Sequence, residues 1–321
     1  MTLTKAQSLL LSNDQLLAHI IENAPKPVQS LEVLPFFPVD GDSLRINRAA
    51  TSGDFGIAPL WDKATGAFAT TEGKTIPTSV SFELKQLVQD VIVMDFAANT
   101  ESNVNSQVGV QLETAIRRFL YEFCAKLYAG VSAGPDFEQF NGIVALLPAA
   151  QKILPKDVGG FLLVLDDLAR LVGQIKANSG RPHVLVTHTL GYKNILKAHY
   201  DKGLRPHYAL MNVPDCNGGM KQRLTPTYDG IPILIDDNIS TTDTIGGQGN
   251  GIGIYALVLG RGGLYGITPA VWGSKIVRVK EVLGAATANT TYRIFMNVSL
   301  VLESEVAAAQ MLIRTNSSVT P

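Results

Sequence analysis

The sequence predicts an α+β chain in which one domain is interrupted by a second, α/β unit. Three observations predict it: a long extended arm, one long amphipathic helix, and a long alternating strand near the end of the chain.

The arm runs from about Leu44 to Ala98. Short extended pieces, Leu31 to Val39, Leu44 to Arg48 and Phe55 to Trp61, are separated by Asp40-Gly41-Asp42 and Thr51-Ser52-Gly53-Asp54 turns. After a Gly- and Thr-rich tip, Lys63 to Thr75, the chain returns with Val80, Phe82 and Leu84 facing one way and Ser81, Glu83 and Lys85 the other, the period of a half-buried strand. So long an arm with so little apolar material at its tip is expected to pack on a neighbouring copy.

The helix spans about Val104 to Ala129, with Val108, Leu112, Ile116, Phe119, Leu120, Phe123 and Leu127 on one face. Glu113 with Arg117, and Glu122 with Lys126, are spaced for i,i+4 ion pairs. At the other end of the chain Tyr292, Ile294, Met296, Val298, Leu300 and Leu302 alternate with polar residues. A strand that long ties distant parts together.

Between them lies an α/β pattern: helix Asp166 to Lys176, strand Val184 to Thr187, helix Leu190 to His199, then strands Ile231 to Ile235 and Ile252 to Leu259. Before the arm, Leu9, Leu10, Leu16, Leu17, Ile20 and Ile21 fall at helical spacing until Pro25 and Pro27 end the run.

Composition narrows the function. The 321 residues carry 27 Lys plus Arg against 28 Asp plus Glu, a formal charge of −1, which argues against a chain that coats nucleic acid electrostatically. No leader pattern and no run of eighteen apolar residues occurs, so a soluble chain is expected. Charged residues are only 17%, and weakly charged surfaces suit subunit interfaces. Cys124 sits in a helical pattern and Cys216 in a turn, so neither a zinc spacing nor a disulfide framework exists.

Candidate chemistry is thin. Gly130-Val-Ser132-Ala-Gly134 matches the G-x-S-x-G nucleophile elbow, but a helix precedes it and Pro135-Asp136 follows, the reverse of the context a strained elbow needs. Ser132 as a hydrolase nucleophile is a remote alternative to a glycine C-cap and loop. The Gly246 to Gly253 cluster lies before a strand, with no helix N-terminus to meet a phosphate, and reads as a flexible surface loop. Asp236-Asp237 reads as a capped strand end, and His183 and His188 fall on opposite faces. No catalytic, cofactor or metal residues are assigned. Six basic residues between Lys176 and His207, and five aspartates between Asp215 and Asp243, could meet across a head-to-tail ring contact or form two solvated faces.

The order of elements resembles the tailed-bacteriophage major capsid protein, the Hong Kong 97-type fold. Leu165-Asp166-Asp167-Leu168, Gly180-Arg181-Pro182-His183-Val-Leu-Val186, Gly230-Ile-Pro-Ile-Leu-Ile-Asp236-Asp237 and Ile254-Tyr-Ala-Leu-Val-Leu-Gly260 resemble stretches of the axial domain of such proteins. The resemblance implies an N-terminal arm (1–41), an extended β-loop (42–79), a peripheral domain (80–139) with a spine helix (104–129), an inserted α/β axial domain (140–270), and a peripheral return strand with the C-terminus (271–321). It implies a non-enzymatic structural protein without cofactors, assembling in the host cytoplasm with copies of itself into hexamers and pentamers of an icosahedral virion shell. That shell would enclose double-stranded DNA without sequence-specific binding, beside a portal protein, with a separate scaffolding protein or none and with or without decoration proteins. The shell of an encapsulin compartment, which shares the fold, is the alternative. Some relatives join subunits by Lys–Asn isopeptide bonds; Lys63 and Lys74 lie in the arm, but no motif assigns them that role.

Overall fold

A computed structural model describes residues 29–49, 77–94, 107–132, 139–157, 161–177, 180–214, 220–272, 277–283 and 289–314. The arm tip, Lys63, Lys74, Cys216 and the helical run before Pro25 lie outside the described residues.

The described chain begins with a short helix α1 (Gln29–Val33), then strands β1 (Phe36–Val39), β2 (Ser43–Ala49), β3 (Pro77–Glu83) and β4 (Lys85–Met94), and the long helix α2 (Gln107–Ala129). Leu31 to Val33 were expected to be extended. They are helical because Leu34 N donates to Ser30 O and Leu34 is buried, while Pro35 stops the turn: tertiary burial outweighs local propensity.

Next come α3 (Ile143–Leu146), β5 (Lys152–Ile153), α4 (Leu165–Gln174), β6 (Val184–Thr187) and α5 (Thr189–Asp201). The strands β7 (His207–Pro214), β8 (Met220–Tyr228), β9 (Ile231–Ile235), β10 (Asp243–Ile245) and β11 (Gln248–Leu257) follow, and then β12 (Leu264–Pro269), β13 (Arg278–Leu283), β14 (Asn289–Leu302) and β15 (Ala308–Arg314).

Among the described residues two large sheets take up most of these strands, and β2 with β3 forms a third, two-stranded one. The five-stranded sheet has the order β1-β12-β14-β13, with β4 also on β14; the eight-stranded sheet has β5-β15-β11-β6-β9-β8-β7, with β10 on β11. β14 is the tie that its alternation predicted: residues 289–298 pair with β4 and residues 299–302 with β12. Its apolar face, Ile294, Met296, Val298, Leu300 and Leu302, is almost wholly buried. Residues 308–314, expected to stay with the peripheral return, instead enter the eight-stranded sheet between β5 and β11. Ala308, Ala309, Met311 and Ile313 are buried there, so both faces are covered and no alternation marks the strand.

α2 joins the sheets. Phe119, Phe123, Cys124, Leu127 and Tyr128 are buried, as its apolar face predicted, and its 23 residues give a length of about 35 Å. Glu113 and Arg117 pair at 3.0 Å, while among the described residues the Glu122–Lys126 pair is not formed. Phe123 meets Phe140 at 5.5 Å and Tyr128 meets Tyr255 at 5.3 Å between ring centroids, tying the helix end to β11.

The described base of the arm packs on its own chain. β2 and β3 pair antiparallel from Ser43↔Glu83 to Ala49↔Pro77, and Phe82, with Leu44, Ile46 and Val80, packs on Tyr265, Ile267 and Val301 of the five-stranded sheet. Arg48 fastens it: Nε donates to Glu303 O at 3.1 Å, Nη2 to Leu302 O, and Nη1 pairs with Glu305 at 2.9 Å.

Candidate functional site

Ser132 follows the end of α2. Gly130 N donates to Lys126 O and Gly142 N to Gly130 O, both at 2.8 Å, so the glycine closes the helix. A Cβ on Gly130 would stand 2.5 Å from Lys126 O and 2.6 Å from Phe140 O, which is why no side chain fits there. Ser132 N donates to Asn141 Oδ1 at 2.9 Å, and none of the described residues lining the cleft around Ser132 is a histidine. The neighbouring acid, Glu83, pairs with Lys85 at 2.9 Å. Among the described residues no base–nucleophile pair is therefore in place at Ser132.

The glycine cluster is not a flexible loop. Ile245 pairs with Gln248, and Gly246 and Gly247 between them have φ of +57° and +80°, the two positive values of a type I′ hairpin turn. Gly251 and Gly253 continue into β11, buried between β15 and β6, with no helix after them to cradle a phosphate.

Asp236 and Asp237 do different work. Asp236 is fully buried. Its Oδ2 accepts from Ser30 Oγ and from Tyr128 OH at 2.9 Å; its Oδ1 accepts from Asn238 N at 3.0 Å and Asn238 Nδ2 at 2.8 Å. One carboxylate thus knots α1, the end of α2 and the end of β9. Burial first, and the Asp236 charge second, push the Tyr128 phenol well above its ordinary range, so it stays a donor. The sequence showed the strand end but not the knot, since Ser30 and Tyr128 lie 206 and 108 residues away.

Asp237 Oδ1 accepts from Thr189 N at 2.9 Å and stands 3.5 Å from His188 Nε2, while His188 Nδ1 accepts from Leu190 N at 3.0 Å. These two side chains cap α5. His183 Nδ1 accepts from Leu259 N instead. Among the described residues no three His, Cys, Asp or Glu are grouped to hold a metal ion. Since Asp236 is internal and Asp237 serves α5, the five-aspartate patch proposed for a ring contact is not a surface feature as a whole; Asp215 lies outside the described residues.

Exposed apolar side chains gather on the outer ribbon of the eight-stranded sheet. β7 is its edge strand, and only Thr227 and Tyr228 of β8 pair onward to β9, so most of the β7–β8 ribbon projects. Leu210 lies opposite Leu224 and Tyr208 opposite Pro226 on one face of it, with Tyr208, Leu210 and Leu224 exposed by 51%, 66% and 62%. Tyr200 and Leu204, at the end of α5, are also exposed. An unpaired edge beside an apolar face is a surface fit for another chain. Sequence reading passed over it because His207 to Tyr228 mixes apolar and polar residues without signalling which side lacks a cover.

No family model matches the chain, and no curated protein matches its sequence. Its fold does match solved structures. The holo-SrpI encapsulin complex from Synechococcus elongatus PCC 7942 has a chain that superposes with a TM-score of 0.69 at 16% identity, covering 100% of this chain and 99% of that one. The capsid of the native GTA particle gives 0.64 at 12% identity, over 95% and 96% of the two chains. A chain of Microbacterium phage Oxtober96 gives 0.59 at 14%, over 98% and 99%. The architecture is thus that of capsid and encapsulin shells. This chain has the Hong Kong 97-type fold. Among the described residues no helix is long and apolar enough to cross a membrane.

Proposed function

We propose that the chain is a structural, non-enzymatic shell subunit that assembles with itself into hexamers and pentamers of an icosahedral capsid around the double-stranded DNA of a tailed phage. The observation that carries this reading is fold likeness over whole chains, which spans 95–100% of this chain and 96–99% of the compared chains. Function lies in how sites are used and not in fold alone, so the surface must support the reading too.

It does so at the β7–β8 ribbon. Tyr208, Leu210 and Leu224 are exposed on a single chain, and an axial domain at a capsomer centre would cover them with the neighbouring copy. Residues 42–79 would be the loop reaching over a neighbour, residues 140–270 the axial domain joined by residues 308–314, and α2 the spine between them. The near-zero formal charge suits a container that holds DNA without coating it. A virion location, assembly in the host cytoplasm, and portal, scaffolding and decoration partners belong to the same reading.

The second reading is a compartment shell, favoured by the TM-score of 0.69 with an encapsulin. The chain is to be expressed alone and viewed by light scattering and negative-stain microscopy. Closed shells or rings of five and six are expected, and Leu210→Arg with Leu224→Asp is expected to abolish them while leaving the melting temperature within about 1 °C, since these side chains are exposed. A wild-type chain that stays at 34.5 kDa with and without candidate scaffolds would overturn the shell reading. Nuclease-protected DNA in particles from infected cells separates the phage reading from a compartment that holds protein.

A further inference from the structure

The basic run between Lys176 and His207 loses its expected acidic complement in the folded chain. Asp236 is internal and Asp237 caps α5. Four exposed acids elsewhere are taken: Glu83 by Lys85, Asp90 by Arg293, Glu113 by Arg117 and Glu305 by Arg48. Within the run itself Arg181 donates from Nη2 to Asp229 O at 2.8 Å. Lys193, Lys197, Lys202 and Arg205 differ: no ion pair among the described residues includes them, and Asp201 is the sole acid of the run. The dipole of α5 accounts for Lys202 at its C-terminal end, but not for Lys193 in mid-helix or Arg205 beyond it.

Hydroxyl groups accompany these charges. Lys193, Lys197 and Tyr200 fall at i, i+4 and i+7 of α5, one stripe about 10 Å long. Tyr200 is 62% exposed, and Lys197, Lys202, Arg205 and His207 are exposed beside it or in the turn that follows. The hydroxyls of Tyr192 on α5 and Tyr208 on β7 stand 3.4 Å apart. Burial first, then Tyr208, push the Tyr192 phenol up, with Tyr200 adding to the shift, so the three rings share this flank and keep their protons.

We propose that this flank of α5 binds the phosphate backbone of double-stranded DNA without reading its sequence. The proposal rests on the shell reading for the identity of the polyanion. Lysine, arginine and tyrosine hydroxyl donors are the groups that phosphate oxygens take, and contacts of that kind position a duplex but carry no base information. One strand offers a charge every 3.4 Å or so of helix axis, so the 10 Å stripe reaches about three phosphates and the turn with Lys202 and Arg205 adds to them. The formal charge of −1 is no obstacle, because binding answers to the local field and not to the sum over the chain. A shell subunit of this kind touches its DNA at one flank and leaves the rest of its surface neutral.

The test is the fluorescence anisotropy of a labelled DNA duplex titrated with the full chain, at protein concentrations where light scattering shows no particles. Four phosphate contacts give log K against log salt a slope of about −3.6, an affinity loss of about 150-fold between about 50 and 200 mM NaCl. Lys197→Gln, a change at an exposed side chain, is expected to reduce that slope by about 1. Lys193→Gln, Lys197→Gln, Lys202→Gln and Arg205→Gln together are expected to remove most of it. Lys152→Gln with Lys156→Gln, exposed lysines in and just after β5, should change nothing, and a duplex of shuffled sequence should bind equally. A slope unchanged in the fourfold variant, or no binding at the lowest salt, overturns the proposal. So does polyglutamate that displaces the duplex at equal charge concentration, since the partner would then be an acidic protein. Light scattering at higher concentration keeps the two readings apart. Particles together with an unchanged slope in the variant leave the shell and strike the DNA site, whereas a reduced slope in a chain that never forms particles leaves the site and strikes the shell.

Discussion

Tyr128→Phe tests the knot that holds the two sheets to one helix. The substitution removes one oxygen and leaves the ring, so packing against Tyr255 is kept and no cavity opens. What is lost is the 2.9 Å hydrogen bond to Asp236, a carboxylate with no exposed surface. A hydrogen bond to a charged group is worth about 1.5–3 kcal/mol, twice a neutral one, because the alternative is a buried charge short of a donor. Water cannot replace it easily: the cavity beside the ring is about 10 Å³ and lined mainly by apolar side chains such as Leu127, Val184 and Leu234, at the lower limit for holding one molecule. In chains of 150–250 residues each kcal/mol shifts Tm by about 2–4 °C, and less in longer ones, so a fall of about 3–6 °C is expected. Tyr255→Phe is the matched control, since its hydroxyl accepts from Gln310 Nε2 at a long 3.4 Å and should cost about 0.5–1 kcal/mol. Calorimetry at fixed protein concentration reads both. If Tyr128→Phe melted within 1 °C of wild type, or no lower than Tyr255→Phe, Asp236 would not be the anchor described above.

Three further outcomes follow from the same geometry. Gly142→Ala places a Cβ 2.6 Å from Lys126 O, 2.7 Å from Gly130 N and 2.8 Å from Tyr128 O, all backbone atoms, so a loss of about 2–3 kcal/mol or failure to fold is expected in urea unfolding. Asp90 is held below the usual carboxylate range, first by its hydrogen bonds from Arg293 at 2.7 and 2.9 Å across β4 and β14. A depressed carboxyl lends stability above its unfolded value of about 4 and loses it as pH falls through the lower folded value, so the melting difference between wild type and Asp90→Asn should be flat from pH 8 to 5 and close below about pH 4. Burial, with the Asp236 charge second, pushes the Cys124 thiol far up, so in a Cys216→Ser chain a thiol reagent should label Cys124 only as the chain unfolds; labelling of the native chain at the rate of free cysteine would contradict its placement.

What the sequence determined by itself was whatever has a period or a local breaker. The alternation of Val80 and Phe82 placed β3, the 3.6-residue stripe through Phe119, Phe123 and Leu127 placed α2, and Gly130 ended it, because each pattern is written in neighbouring residues. Val184–Thr187 and Ile231–Ile235 were likewise legible to the residue. Order of elements then sufficed to suggest the fold. The tertiary structure alone decided which distant pieces meet: the C-terminal strand that enters the eight-stranded sheet, the helical turn at Ser30, and the Asp236 carboxylate that gathers Ser30, Tyr128 and Asn238. Those facts depend on burial and on pairing between residues far apart in the chain, and no local pattern records them. The surface was least legible of all. Leu210 and Leu224 carry no sequence signal of exposure, which shows only once the sheet order puts β7 at an edge, and Asp236 reads as a capped strand end until burial shows that its four donors hold it inside.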